Sequence, residues 1–168
     1  FPDALILEKR SNIFLTKSFK KGYFEVQDAS SQCVAYFTGV KPGMRVVDAC
    51  AGAGGKSLHL SALMENKGKI ISLDIKSNKL NELRKRAKRA NSFNIETKLI
   101  NNSKVIKKLH NSADIVLIDA PCSGIGVLKR NPDAKWKLSL DFYERTIIIQ
   151  KEILFKYSKM VKPGGLLI

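Results

Sequence analysis

Two short stretches of this chain concentrate side chains that can do chemistry. The first is Cys50-Ala51-Gly52-Ala53-Gly54-Gly55-Lys56-Ser57, directly after Val46-Val47-Asp48. Glycines let a backbone approach a ligand closely, and the start of a following helix offers free N–H groups to a carboxylate or phosphate. Asp74 lies 22 residues after Gly52, near the spacing at which an acid accepts ribose hydroxyls, so an adenosine-type cofactor is indicated. The second stretch is Asp119-Ala120-Pro121-Cys122-Ser123-Gly124-Ile125-Gly126. An acid, a proline-stiffened turn, a thiol and two glycines leave little bulk and much polar capability. An apolar strand ending on a partly buried acid suits a ring edge or an amine. Each stretch has a plainer alternative: a glycine turn that only packs strand on helix, and a cysteine with a structural role.

The loop discriminates among cofactors. A Walker A loop needs glycine five residues before its Gly-Lys-Ser; that place is Cys50, which disfavours a nucleotide triphosphatase. The dinucleotide fingerprint is only partly met, because Gly52-Ala53-Gly54 is followed by Gly55 and then Ser57 in the last glycine's place. Asp48 would repel a pyrophosphate but can face a cationic ligand, so S-adenosylmethionine fits better.

Both stretches need a frame. Lys41-Pro42-Gly43 turns the chain into a strand at 45–48, and further strands are expected at 69–74, 95–100 and 115–119. Helices are expected after the glycine loop, from Ser77 to Asn91, from Ser103 to Leu109, and from about Asp141 to Val161, where Asp141 and Glu144 have capping-box spacing. Strands alternating with helices give an α/β fold with a mainly parallel sheet covered on both faces. Ligands of such sheets bind beyond the carboxyl ends of the strands, where Asp48, the glycine loop, Asp74 and Asp119 all fall. Residues 1–38 are mixed and read as an N-terminal extension of a core spanning 39–168. The chain starts at Phe1 and ends on Lys162-Pro163-Gly164-Gly165-Leu166-Leu167-Ile168, read as a helix stop, a turn and a strand's first residues. A fragment of a longer protein, with the sheet truncated at its C-terminal end, is the expectation.

At 168 residues the chain argues for one domain, and 44% apolar residues suffice for a packed core. Thirty Lys and Arg against 15 Asp and Glu give +15, which favours an anionic partner and disfavours cationic ones. Twenty-three of the basic residues are lysine, which genome composition alone could produce. No apolar run is long enough for a membrane helix. Cys33, Cys50 and Cys122 are too widely spaced for a disulfide framework or a zinc site. A reducing cytoplasm is the expected location, with neither metal nor membrane as partner.

Six segments carry a family resemblance: LILEKRSNIF (5–14), FEVQDASSQ (24–32), VVDACAGAGGKS (46–57), DAPCSGIG (119–126), NPDAKW (131–136) and KPGGLL (162–167). In this order they resemble the Sun/RsmB-type RNA cytosine-C5 methyltransferases. The resemblance implies a Rossmann-like class I methyltransferase fold, S-adenosylmethionine as methyl donor and RNA, chiefly ribosomal, as substrate. It implies that Cys50, Ala51, Gly52, Ala53, Gly54, Gly55 and Lys56 hold the donor's methionine part and Asp74 its ribose. Asn101-Asn102 stands where the family has an acid near adenine, so Asn101 would make that contact as an amide. The family commonly has proline where Ala53 sits, a change that loosens the turn. Asp119 matches the acid that grips the target cytosine beside the donor, and Cys122 the cysteine that helps release product. Gln27, Asp28, Ser31 and Gln32 match a string at the pocket rim, where helix capping would explain them equally well.

The chemistry explains the thiol. Cytosine C5 is a poor nucleophile, and a thiolate adding to C6 makes the ring an enamine with a nucleophilic C5. An acid at N3 stabilises the developing charge, so Asp119 must be protonated or share a proton there. After methyl transfer a base removes the C5 proton and the thiol leaves. The target must be flipped out or single-stranded. In the resembled family the attacking cysteine belongs to a later Thr-Cys-Ser string, expected beyond Ile168, so the 168 residues alone should bind but not turn over. DNA cytosine-C5 methyltransferases attack instead with a Pro-Cys cysteine, which would be Cys122.

RNA contact is expected at Lys129 and Arg130, flanking the cytosine pocket, and at Lys135 beside Trp136. The seven basic residues from Lys76 to Arg89 form either a second contact or a solvated face. Two other classes compete: a non-catalytic basic RNA-binding module and a dinucleotide-dependent oxidoreductase. His59 and His110 have no partner at metal or triad spacing.

Overall fold

The computed structural model describes residues 2–9, 11–129 and 131–168, so Arg130 lies outside the described residues. The N-terminal stretch begins with a 3-10 turn at Ile13–Leu15 and a one-turn helix α1 (Lys17–Lys20) capped by Thr16. Helix α2 (Ala29–Phe37) follows, capped by Asp28, whose carboxylate accepts from Ser30 N at 3.0 Å. Strand β1 (Arg45–Asp48) then opens an alternation with α3 (Gly55–Leu63), β2 (Lys69–Asp74), α4 (Ser77–Arg89), β3 (Ile95–Leu99), α5 (Ser103–Lys107), β4 (Ala113–Leu117), α6 (Leu140–Tyr157) and β5 (Val161–Leu167). The five strands pair in parallel in the order β3-β2-β1-β4-β5.

Successive strand residues point to opposite faces, and here both faces are apolar. Val47, Ile71 and Val116 pack with Ile106, Leu109, Tyr157 and Met160 on one side. Their neighbours Val46, Ile70 and Ile115 pack with Ala35, Leu60 and Met64 on the other. Ala35 comes from α2, so the N-terminal stretch contributes to the core. Each such aliphatic burial contributes about 1.5–3 kcal/mol.

Three local expectations are corrected. Helix α6 starts one residue before Asp141, because Ser139 is the cap and accepts from Phe142 N at 3.1 Å. Asp141 instead pairs one turn on with Arg145, at 2.9 Å. The helix ends at Tyr157, and Val161 already belongs to β5. Lys162-Pro163-Gly164-Gly165 does not precede the strand but bulges within it: Ala113 pairs with Val161 and Ile115 with Leu166. A bulge tolerates the proline, and a side chain at Gly165 would press on the Asp114 carbonyl.

Candidate active site

The loop after β1 is stitched to both neighbouring strands. Ala49 N donates to Leu117 O and Ala51 N to Leu73 O, each at 2.8 Å. This places it where the strand order reverses, between β1 and β4. Asp74, ending β2, accepts from Gly52 N at 2.9 Å and from Lys76 N at 2.8 Å, so it shapes the glycine loop directly. Gly54 has φ 86° and lies buried against Leu83, leaving no room for a side chain.

The loop lines a cavity of about 240 Å³ together with Asp48, Lys56, Asp119, Gln27 and Ser31. Asp48 is the buried acid of the site, 1% exposed. Its Oδ2 accepts from Ser57 Oγ at 2.6 Å, and that hydroxyl lies 2.8 Å from Ser72 Oγ. Its Oδ1 is buried, and the Cys50 backbone N–H also acts on the carboxylate. Burial pushes the Asp48 carboxyl up to about 6, against the opposing pull of Ser57 and Lys56. Asp48 is among the residues that line the cavity, and a carboxylate there suits a ligand ammonium. Across the cavity, Lys56 Nζ lies 2.7 Å from Asp119 Oδ2. Cys50 lines the floor, and burial beside these acids pushes its thiol up to about 12, so it is an inert wall at neutral pH.

The structure thus brings Cys50, Ala51, Gly52, Ala53, Gly55, Lys56 and Asp119 to one cavity wall. Gly54 sits behind that wall, and Asp74 braces it from below. Asn101 is exposed and accepts from Asn102, which caps α5. Asp119 stands two residues beyond the end of β4 with its side chain 55% exposed, not as a partly buried strand end. Cys122 is exposed, and the Pro121 carbonyl before it accepts from Gln150 Nε2 at 2.7 Å. Lys129, Lys135 and Trp136 are exposed, with Lys135 Nζ 4.8 Å from the Trp136 ring centre. Among the described residues no group of three His, Cys, Asp or Glu side chains could hold a metal.

Ser72 and Arg86 were not expected here. A serine inside an apolar strand was the available clue for Ser72. Arg86 lies three residues after Leu83 and one before Ala87, on the flank of the apolar stripe of α4, and it donates to Ala53 O at 2.9 Å.

A family model described as 16S rRNA methyltransferase RsmB/F matches residues 36–168. The chain belongs to this RsmB/F family. Among relatives of the family, the probable ribosomal RNA small subunit methyltransferase B of Bacillus subtilis is 38% identical over 99% of this chain and 37% of its own length. The tRNA (cytosine(72)-C(5))-methyltransferase of Pyrococcus horikoshii is 33% identical over 90% of this chain and 38% of its own. The crystal structure of NSun6 from Pyrococcus horikoshii with SFG superposes with a TM-score of 0.84 at 30% identity, over 94% of this chain and 40% of that one. The chain therefore spans rather more than a third of the length of the curated relatives it matches. The Rossmann-like α/β frame expected for an RsmB/F methyltransferase is the one observed.

Proposed function

We propose that this chain is the donor- and base-binding part of an RNA cytosine-C5 methyltransferase that uses S-adenosylmethionine. The observation that carries the reading is the glycine-walled cavity that gathers Asp48, Lys56 and Asp119 beside the loop that Asp74 braces. The activities for which these relatives are named support it, as does the related structure with SFG, an S-adenosylmethionine analogue.

When bound, the donor supplies an electrophilic methyl group on a sulfonium. Asp48 would face its ammonium, the backbone from Ala51 to Gly55 its carboxylate, and Asp74 its ribose through the loop it braces. Asn101 is assigned the adenine edge. Asp119 would meet the cytosine at N3, sharing the proton that stabilises the ring's developing charge, while Lys56 holds that carboxylate in place. Cys122 is assigned to product release, its turn anchored by Gln150. The attacking thiol is assigned to a Thr-Cys-Ser string, which these 168 residues do not contain. Lys129, Arg130 and Lys135 would meet RNA phosphates, ribosomal RNA being the favoured substrate. Three free cysteines support work in a reducing cytoplasm.

Calorimetric titration of S-adenosylhomocysteine into the wild type and Asp74→Ala tests the reading. Binding that weakens in the variant is expected. No binding, with RNA still bound, would leave a basic RNA-binding module; preference for NADH would leave an oxidoreductase. Methyl transfer by the 168 residues that Cys122→Ala abolishes would make Cys122 the attacking thiol.

A further inference from the structure

The donor site is built from two parts of the chain that are distant in sequence. Gln27 and Ser31 form one rim of the cavity, and the glycine loop forms the facing wall. One guanidinium spans them. Arg86 Nη1 donates to Ala53 O at 2.9 Å, while its Nη2 and Nε donate to Glu25 Oε2 at 3.0 and 3.3 Å. Glu25 is two residues before Gln27, so a hold on Glu25 is a hold on the rim. Its other oxygen accepts from Arg89, whose guanidinium lies 4.0 Å from the Phe19 ring centre. The side chains of Arg86 and Glu25 are only 17% and 19% exposed, so this bridge is shielded from competing water.

We propose that Glu25 and Arg86 are positioning residues that lock the N-terminal rim of the donor cavity to its glycine loop. Gly52 and Gly54 flank Ala53, and glycine backbone has more freedom to lose than other residues when a ligand orders it. A pinned Ala53 carbonyl removes part of that cost before the ligand arrives. A planar fork aims separate N–H donors at the carbonyl and the carboxylate in a fixed geometry that lysine's single ammonium does not reproduce. The proposal rests on the donor-site reading above, and its test keeps the two apart.

Arg86→Ala, Arg86→Lys and Glu25→Gln are compared with the wild type in two measurements on the 168-residue chain. The first is the affinity for S-adenosylhomocysteine, expected to fall about five- to tenfold in each variant. The Arg86→Ala/Glu25→Gln double variant should fall no further than Arg86→Ala alone. The second is backbone hydrogen exchange without ligand, expected to quicken at residues 27–31 and 50–55 while β1 and β2 keep their protection. Adding Ala53→Pro to Arg86→Ala should restore most of the lost affinity by stiffening the loop, which a merely structural arginine would not allow. Glu25→Gln keeps the side chain's size, so it reports even where Arg86→Ala does not fold. Unchanged exchange in both segments, additive losses, or no rescue by proline overturns the proposal. A wild type that fails to bind while exchange responds as expected overturns the donor reading and leaves the lock standing.

Discussion

Lys56 Nζ and Asp119 Oδ2 lie 2.7 Å apart, joining the end of the glycine loop to the acid that follows β4 across 63 residues of sequence. The Asp119 side chain is more than half exposed while that of Lys56 is 17% exposed, so the pair is anchored from the lysine side. Such a pair contributes little to stability and much to where the carboxylate points. Lys56→Ala is therefore expected to change the unfolding free energy by less than about 1 kcal/mol. The same change should weaken retention of a cytidine-containing oligonucleotide about tenfold. A variant that unfolds far earlier yet binds RNA normally would contradict this role.

Asp48 predicts a trade between stability and donor binding. Its carboxyl sits near 6 in the fold against an ordinary 3.8, so between those values the folded protein keeps a proton that the unfolded chain has lost. The stability contribution is full below about pH 4 and lost as pH rises through about 6. Asp48→Asn removes that loss and can still accept from Ser57. Its stability relative to the wild type should be greater at pH 8 than near pH 4 by about 2–3 kcal/mol. Donor affinity in the wild type should rise as pH climbs through 6, and this rise should vanish in the variant. Chemical denaturation and calorimetry across pH 4–8 check both.

The cysteines separate by accessibility. Cys122 is exposed, whereas Cys50 is half-buried with its thiol pushed up to about 12. Iodoacetamide at pH 8, followed by peptide mapping, should label Cys122 first and leave Cys50 unmodified in the folded protein. Labelling of Cys50 at the rate of Cys122 would mean that the cavity wall opens freely.

Lys129 and Lys135 should act as phosphate contacts. Each change to alanine is expected to weaken RNA binding evenly across sequences and to reduce the slope of log K against log salt by about one. Of the seven basic residues between Lys76 and Arg89, Arg86 and Arg89 are partly buried and held by Ala53 and Glu25, whereas Arg84 is exposed. Arg89→Ala should consequently leave the salt slope unchanged.

Much of the frame was legible in the residues themselves. Val46 and Val47, Ile70 and Ile71, and Ile115 and Val116 are apolar side by side, and consecutive apolar residues in short strands mean two covered faces. The glycine loop and Asp74 declared their partnership by spacing, because a strand-loop-helix unit fixes where its own ends fall. The second group of facts had no local mark. That Asp48 is buried while Asp119 is exposed depends on which strand crosses the sheet's centre. That Ser139 rather than Asp141 caps α6 depends on where the preceding loop delivers the chain. That Arg86 faces Glu25 and Ala53 instead of solvent depends on α4 lying against a segment 61 residues away. Periodicity and turn chemistry act within a few residues and can be read along the chain. Burial of a charge, and the choice of its partner, arise only when distant elements pack together.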